Sequence, residues 1–203
     1  MNTMNLVTYL DFGPSFARAA SQGLQAWAVV IRSQDGVGEA TLLSEINRRE
    51  RFALVETWAE PAQLDARVAS GARLDPAIAA GLSASPDERI GEPFSIGPPR
   101  PSGPRSLHVL VHVDVVPFNL TAVGDWLKAE AEAARLAPGS LRYDIWRQLN
   151  RPNHFTVVQV WADQAAYARR VESSAARTFR DNLLTVKGAL YDERRYQTLD
   201  WAA

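Results

Sequence analysis

Phe52-Ala-Leu-Val-Glu-Thr-Trp58-Ala-Glu-Pro-Ala62 lies on Phe155-Thr-Val-Val-Gln-Val-Trp161-Ala-Asp-Gln-Ala165 when the chain is laid over itself with an offset of 103 residues. The match runs on from Arg67, Val68 and Ser70 to Arg170, Val171 and Ser173. Nine of the twenty-one pairs between positions 52 and 72 are identical, where unrelated segments would share about one or two. The same offset sets Asp11 on Asp114 and Pro14 on Pro117. The chain is therefore a tandem duplication. Glu45-Ile46 matches Asp144-Ile145 at an offset of 99 instead. That predicts a longer connection around Ser33 to Gly38 in the first copy and a shorter hairpin at Asn47 to Glu50, since loops tolerate length changes. Gly97-Pro-Pro-Arg-Pro-Ser-Gly-Pro104 reads as an extended linker that neither helix nor sheet could absorb. The expected division is a first domain over 1–97, a linker over 98–105 and a second domain over 106–203.

One copy reads most clearly after residue 105. Leu107 to Val116 alternates, with Val109, Val111, Val113 and Val115 on one side and His108, Leu110, His112 and Asp114 on the other, a strand covered on both faces. Pro117 ends it, and Asn119 or Thr121 can cap a helix whose stripe is Leu120, Val123, Trp126, Leu127 and Ala131. Pro138-Gly139 stops that helix. Leu141 to Gln148 and His154 to Ala162 pair through a polar turn. Asp163 caps a second helix on which Tyr167, Val171, Ala175, Phe179 and Leu183 recur every fourth residue. Leu190 to Thr198 is a last, charged strand.

The first copy repeats this order, with strands 5–12, 39–47, 51–59 and 89–96 and helices 15–32 and 61–70. It adds a short helix near Asp75 to Leu82. The order β-α-β-β-α-β is the ferredoxin-like split arrangement. Helices cover one face of such a sheet, so the other face needs a partner, and a fused second copy supplies it. The predicted class is α+β: two ferredoxin-like units packed sheet to sheet as an intrachain pseudo-dimeric α/β barrel. Phe52 and Trp58, with Phe155 and Trp161, are expected on the faces where the sheets meet.

Composition narrows the function classes. A net charge of -1 with no long basic block gives no surface for nucleic acid or an anionic membrane. No apolar run approaches the roughly 18 residues of a membrane span. The sequence contains no cysteine, which excludes disulfides, thiolate metal sites and cysteine nucleophiles. The N-terminal residues lack the charged and apolar segments of a signal peptide, and a cytoplasmic location is expected. No phosphate loop, dinucleotide fingerprint or zinc motif occurs.

The closing segments suggest a family. Phe155 to Ala166, then Arg170-Val171-Glu-Ser173 and the Leu-Tyr-Asp-Glu-Arg strand beginning at Leu190, resemble the antibiotic biosynthesis monooxygenase family. The resemblance covers most of residues 105–200 and is weaker over 4–96. It implies a dimeric α/β-barrel protein with a pocket between helices and sheet in each unit. It also implies an activity of the type shown by cofactor-independent oxygenases of anthrones and quinols, or by haem-degrading relatives. Many members carry a His-x-x-Ser-x-His-like signature at the second helix. Arg170 and Ala175, and in the first copy Arg67 and Ala72, stand at those positions here.

Several residues have two readings each. His108 and His112 share a strand face and with Asp114 could hold a metal or move a proton, or they could hydrogen-bond across the interface between the two sheets. Trp126, Tyr143, Trp146 and Tyr167 could wall a pocket for a flat ligand, or fill core. Arg170 and Arg67 could steady an anionic oxygen, or pair at the surface with Glu172 or Asp65. Ser70 and Ser173 read as helix-surface or pocket-rim hydroxyls. The resulting expectation is a monooxygenase-like enzyme with no cofactor and no metal, acting on an aromatic, quinol or polyketide-like molecule. His112 and Arg170 are the catalytic candidates; Trp126, Tyr143, Trp146, Tyr167 and His108 are the substrate-binding ones. The alternatives are a non-catalytic small-ligand binder and a haem-binding protein. Expected partners are a small aromatic molecule and, for the fused pair, a second copy of the chain. The asymmetry in histidines and aromatics points to the second copy for the site.

Overall fold

In the first unit the alternating segments become β1 (Met4–Asp11), β2 (Val37–Glu45), β3 (Arg51–Trp58) and β4 (Asp87–Ser95). They are crossed by α1 (Ala17–Arg32), α2 (Pro61–Ser70) and the one-turn α3 (Pro76–Ala79). The computed structural model describes residues 3–70, 74–189 and 192–199. β1 pairs antiparallel with both β3 and β4, and β2 pairs with β3, so the strand order is β4-β1-β3-β2. The second unit repeats this with β5 (Leu107–Asp114), α4 (Leu120–Arg135), β6 (Ser140–Gln148) and β7 (His154–Trp161). It continues through α5 (Gln164–Glu172), α6 (Ser174–Leu184) and β8 (Asp192–Thr198). Its strand order is β8-β5-β7-β6, again antiparallel throughout. Both units are thus ferredoxin-like and the class is α+β. Contacts divide the chain into Met1–Glu92 with Gln197–Ala203, and Pro93–Tyr196.

The two units keep the same register. Ala40 opposes Glu56 on β3, and Tyr143 opposes Gln159 on β7, so the offset of 103 holds through β2 and β6. The expected loop-length differences at Ser33 to Gly38 and Asn47 to Glu50 are therefore absent. The Glu45-Ile46 match to Asp144-Ile145 is a coincidence of two polar–apolar steps. The turn chemistry agrees: Gly36 and Gly139 carry φ of 83° and 84° at equivalent places, a left-handed conformation that favours glycine. The same bulge follows, between Val37 and Glu39 and between Ser140 and Arg142.

Helix α1 lays Ala20, Leu24, Trp27, Ala28 and Ile31 on a core with Leu6, Leu10, Phe52, Leu54 and Trp58. Each large side chain there gains about 1.5–3 kcal/mol from burial. This corrects one expectation. Phe52 and Trp58 point at the helices rather than at the face away from them, because even-numbered residues of β1 and β3 share the helix side. Trp58 is 1% exposed.

The second helix of the second unit also differs from its periodicity. Ser173, with φ -66° and ψ 151°, breaks it into α5 and α6. Its Oγ accepts from the Ala176 N–H at 3.2 Å and from Arg170 Nη1 at 2.6 Å, so this hydroxyl is a cap rather than a surface group. Asp163 caps α5 as expected, accepting from the Ala166 N–H at 2.7 Å. Pro117–Asn119 form a 3-10 turn that runs into α4, which leaves Thr121 inside the helix. The side chain of Ser70, Ala72 as a whole, and the first two residues of the expected last strand lie outside the described residues.

Candidate functional site

Arg67 on α2 and Arg170 on α5 occupy equivalent positions and are 5% and 7% exposed. A buried guanidinium must be neutralised, and each unit does this differently. Arg67 forks onto Glu56 of β3, with Nη2 at 2.8 Å and Nε at 3.3 Å. Trp58 Nε1 donates to the same carboxylate at 3.0 Å. The Arg67 guanidinium carbon lies 5.3 Å from the Trp27 ring centre on α1, and Nη1 is 3.6 Å from Glu88 of β4. In the second unit the strand position holds Gln159, which receives Trp161 Nε1 at 2.9 Å. The counter-charge has moved to the helix, where Glu130 stands at the position of Trp27. Arg170 Nη2 meets Glu130 at 2.6 Å. The two arginines are therefore not surface partners of Asp65 or Glu172. Burial pushes the Glu56 carboxyl above its usual range, opposed by Arg67. Burial does the same to Glu130, opposed by Arg170, then Arg180 and Tyr143.

The gap between helices and sheet is open in one unit and filled in the other. In the first, a cavity of about 480 Å³ is lined by Thr8, Leu10, Trp27, Arg67, Val68 and Glu88 and by the segment carrying Leu74, Pro76, Ala79, Leu82 and Pro86. In the second, only about 30 Å³ remains among Glu130, Tyr143, Gln159, Tyr167, Arg170 and Glu193. Tyr143 stands where the first unit has Ala40, and Tyr167 where it has Leu64. Tyr167 Oη donates to Glu193 at 2.5 Å and its ring sits edge-on to Trp161 at 6.2 Å.

Of the residues singled out from sequence, Tyr143, Tyr167 and Arg170 come together here. Trp126 lines a separate groove of about 360 Å³ between α4 and α6, with Glu130 in its wall and Phe179 beside it. His108, His112 and Trp146 are paired in register with Val160 and Thr156, on the sheet face away from Arg170. His112 Nδ1 lies 3.2 Å from Thr156 Oγ1, and His112 also borders a hollow of about 250 Å³ with Leu183 and Lys187. The proposed alliance of His112 with Arg170 is therefore not formed, because odd and even strand positions point to opposite faces. Asp114 does not join the two histidines either; its carboxylate is 2.7 Å from His154 Nδ1. Among the described residues no three His, Asp or Glu side chains converge to hold a metal. Sequence reading missed Glu56, Glu130, Thr8, Trp27 and Glu88. The signal for the first two was present: a glutamate inside the apolar run Phe52 to Trp58, and one on the buried stripe beside Leu127 and Ala131.

Residues 106–182 match the antibiotic biosynthesis monooxygenase family. Over those residues the second unit is similar to that family. The fold extends over both units in solved structures. A protein provisionally named a monooxygenase, from Fusobacterium nucleatum, is 12% identical with a TM-score of 0.84, covering 98% of this chain and 93% of its own. An anthrone oxidase-like protein is 13% identical at 0.77, covering 98% and 92%. A major regulator of staphylococcal pathogenesis is 14% identical at 0.64, covering 96% and 99%. At these identities the likeness is one of fold, a fold that carries more than one function. No curated protein sequence matches the chain. No helix among the described residues is long and apolar enough to cross a membrane.

Proposed function

We propose that the chain is a monooxygenase that oxidises a flat aromatic, quinol or polyketide-like molecule without a resident cofactor, and that the substrate lies in the first unit's cavity. The observation that carries this reading is the chemistry of the cavity's lining. An apolar space of about 480 Å³ falls within the roughly 300–1,000 Å³ of small-molecule sites, and its polar lining is Thr8, the buried Arg67 and the solvent-exposed Glu88. Thr8 Oγ1 is buried and has no hydrogen-bond partner among the described residues. The Trp27 ring offers an aromatic wall.

The reaction needs only dioxygen as co-reactant. A benzylic CH₂ flanked by phenolic rings loses a proton to the Glu88 carboxylate. The carbanion transfers an electron to O₂, and the two radicals combine to a peroxide anion, which takes the proton back. The hydroperoxide then loses water together with the second benzylic hydrogen. The sum is R₂CH₂ + O₂ → R₂C=O + H₂O. Arg67, held by Glu56, lies beside the position where the phenolate charge develops. The apolar walls exclude water from the carbanion.

The test is an anthrone incubated with protein in air and under argon. Anthraquinone should form faster than without protein, in air only, with one atom of ¹⁸O from ¹⁸O₂. Leu10→Trp, which fills the cavity, should return the rate to background. An unchanged rate in that variant refutes the assignment. A binding-only reading is favoured by one fact: Arg67 already serves two carboxylates, so it has little capacity left for an oxyanion. Tight binding of anthraquinone without any turnover would establish it.

A further inference from the structure

The cavity of the first unit and the residual space of the second are built from matching positions. Trp27 corresponds to Glu130, Arg67 to Arg170 and Val68 to Val171, each at an offset of 103, and all six line their respective spaces. Glu88 corresponds to Glu193, since Glu88 pairs with Thr8 on β1 and Glu193 with Val111 on β5. The two spaces are therefore one site in two copies.

What differs is the filling. Tyr143 of β6 lines the second unit's space, where the first unit has the small Ala40, and both positions are buried. Tyr167 adds a second ring and takes the Glu193 carboxylate at 2.5 Å. In the first unit the equivalent Glu88 instead faces the cavity beside Arg67 at 3.6 Å. Glu130 draws Arg170 toward α4, whereas Glu56 holds Arg67 down on β3. Arg170 Nε is left without a hydrogen-bond partner among the described residues, although the residue is 7% exposed. Arg170 lines a space of about 30 Å³, which no longer admits a ligand larger than about one water.

We infer that the second unit carries a latent second binding site for the same planar aromatic ligand, plugged by Tyr143 and Tyr167, so that each chain binds one ligand. Positions 40 and 143 decide which copy is occupied. The inference rests on the placement of the ligand in the first unit's cavity.

The test uses 1,8-dihydroxyanthraquinone, a planar probe with no oxidisable CH₂, titrated calorimetrically against the full chain. Wild type should bind one equivalent. Tyr143→Ala should bind two, and Tyr167→Leu, which installs the first unit's own residue, should open the same space if Tyr143→Ala does not fold. Ala40→Tyr should bind none. Ala40→Tyr/Tyr143→Ala should bind one again, now in the second unit, where adding Val171→Trp abolishes it and Val68→Trp does not. Two equivalents in wild type overturn the inference, because the second copy would then be open. One equivalent in every folded variant overturns it too, while leaving the ligand placement to be checked by Leu10→Trp. No binding in wild type overturns the placement, and the inference with it.

Discussion

Replacing Glu56 by Gln removes the carboxylate that forks onto Arg67, at 2.8 and 3.3 Å, and leaves a guanidinium that is 5% exposed with Glu88 at 3.6 Å. Breaking one side of a buried ion pair costs about 3–5 kcal/mol. The amide can still accept from Trp58, so the expected loss is at the lower end, about 3 kcal/mol. Yet the second unit has a glutamine at this position, Gln159, and is intact because Glu130 supplies the charge from α4. The structure thus predicts a rescue. Trp27→Glu alone removes a large buried ring, at about 3–5 kcal/mol, and brings a third carboxylate, beside Glu56 and Glu88, to an arginine already satisfied. Combined with Glu56→Gln, the same change supplies the missing counter-charge.

The double variant should therefore be more stable than the sum of the single losses by about 2 kcal/mol, within the range measured for directly interacting residues. Urea unfolding followed by far-UV circular dichroism reads this from the midpoints, provided the slopes agree. The mirror cycle, Glu130→Gln with Gln159→Glu, should show coupling of the same sign. Additivity within about 0.5 kcal/mol in both cycles would refute the idea that the two arrangements are interchangeable solutions for one buried cation.

Burial raises the carboxyl pKa values of Glu56 and Glu130 above the ordinary glutamate value of 4.5, so the native state holds protons that the unfolded chain has lost. Stability from these groups is fully present below about pH 4.5 and declines as pH rises through the folded values; Glu130→Gln should flatten that decline in unfolding midpoints taken from pH 4.5 upward. Gly139→Ala should cost more than Gly36→Ala. Both impose a left-handed φ on a residue with a Cβ, at about 1–2 kcal/mol. The new methyl at 139 also meets the Ala166 Cβ at 2.5 Å, while at 36 it meets only the movable end of Gln63; equal thermal shifts would contradict this. Ser173→Ala should lower stability by about 1 kcal/mol through loss of the α6 cap, measurable by thermal melting, with Ser173→Asn keeping most of it.

The duplication and the order of elements were legible because strand alternation and helix stripes are set by burial, and burial repeats in both copies. The register was misjudged at Glu45 because two residues are too few to outweigh an offset supported by Gly36 and Gly139. Identity alone does not show that both glycines need positive φ. The break at Ser173 was hidden for a related reason: Tyr167, Val171, Ala175, Phe179 and Leu183 keep a four-residue beat across it. The helix bends where the cap is, and the beat continues on the far side. The candidate site was less legible still. Aromatic richness after residue 105 suggested a pocket, but rings can fill a gap as readily as line it. What differs is the residue at one equivalent strand position, Ala40 or Tyr143, and the offset of 99 around Glu45 sets these two out of line.

The exchange of Glu56 for Gln159 and of Trp27 for Glu130 explains why the copies could diverge without losing the fold. Neutrality of the buried guanidinium constrains the sum of charges around it, not the element that supplies them. A carboxylate on the sheet ties the arginine to β3, and a cavity of about 480 Å³ lies beside it. One on the helix pulls the guanidinium toward α4, and the space it spans is then most stably filled by rings. Tyr143 and Tyr167 do this, each gaining about 1.5–3 kcal/mol from burial, with hydroxyls that meet carboxylates on neighbouring elements. A duplicated chain can hold both solutions at once. The packed copy adds stability to the chain, while the open copy keeps a cavity of about 480 Å³.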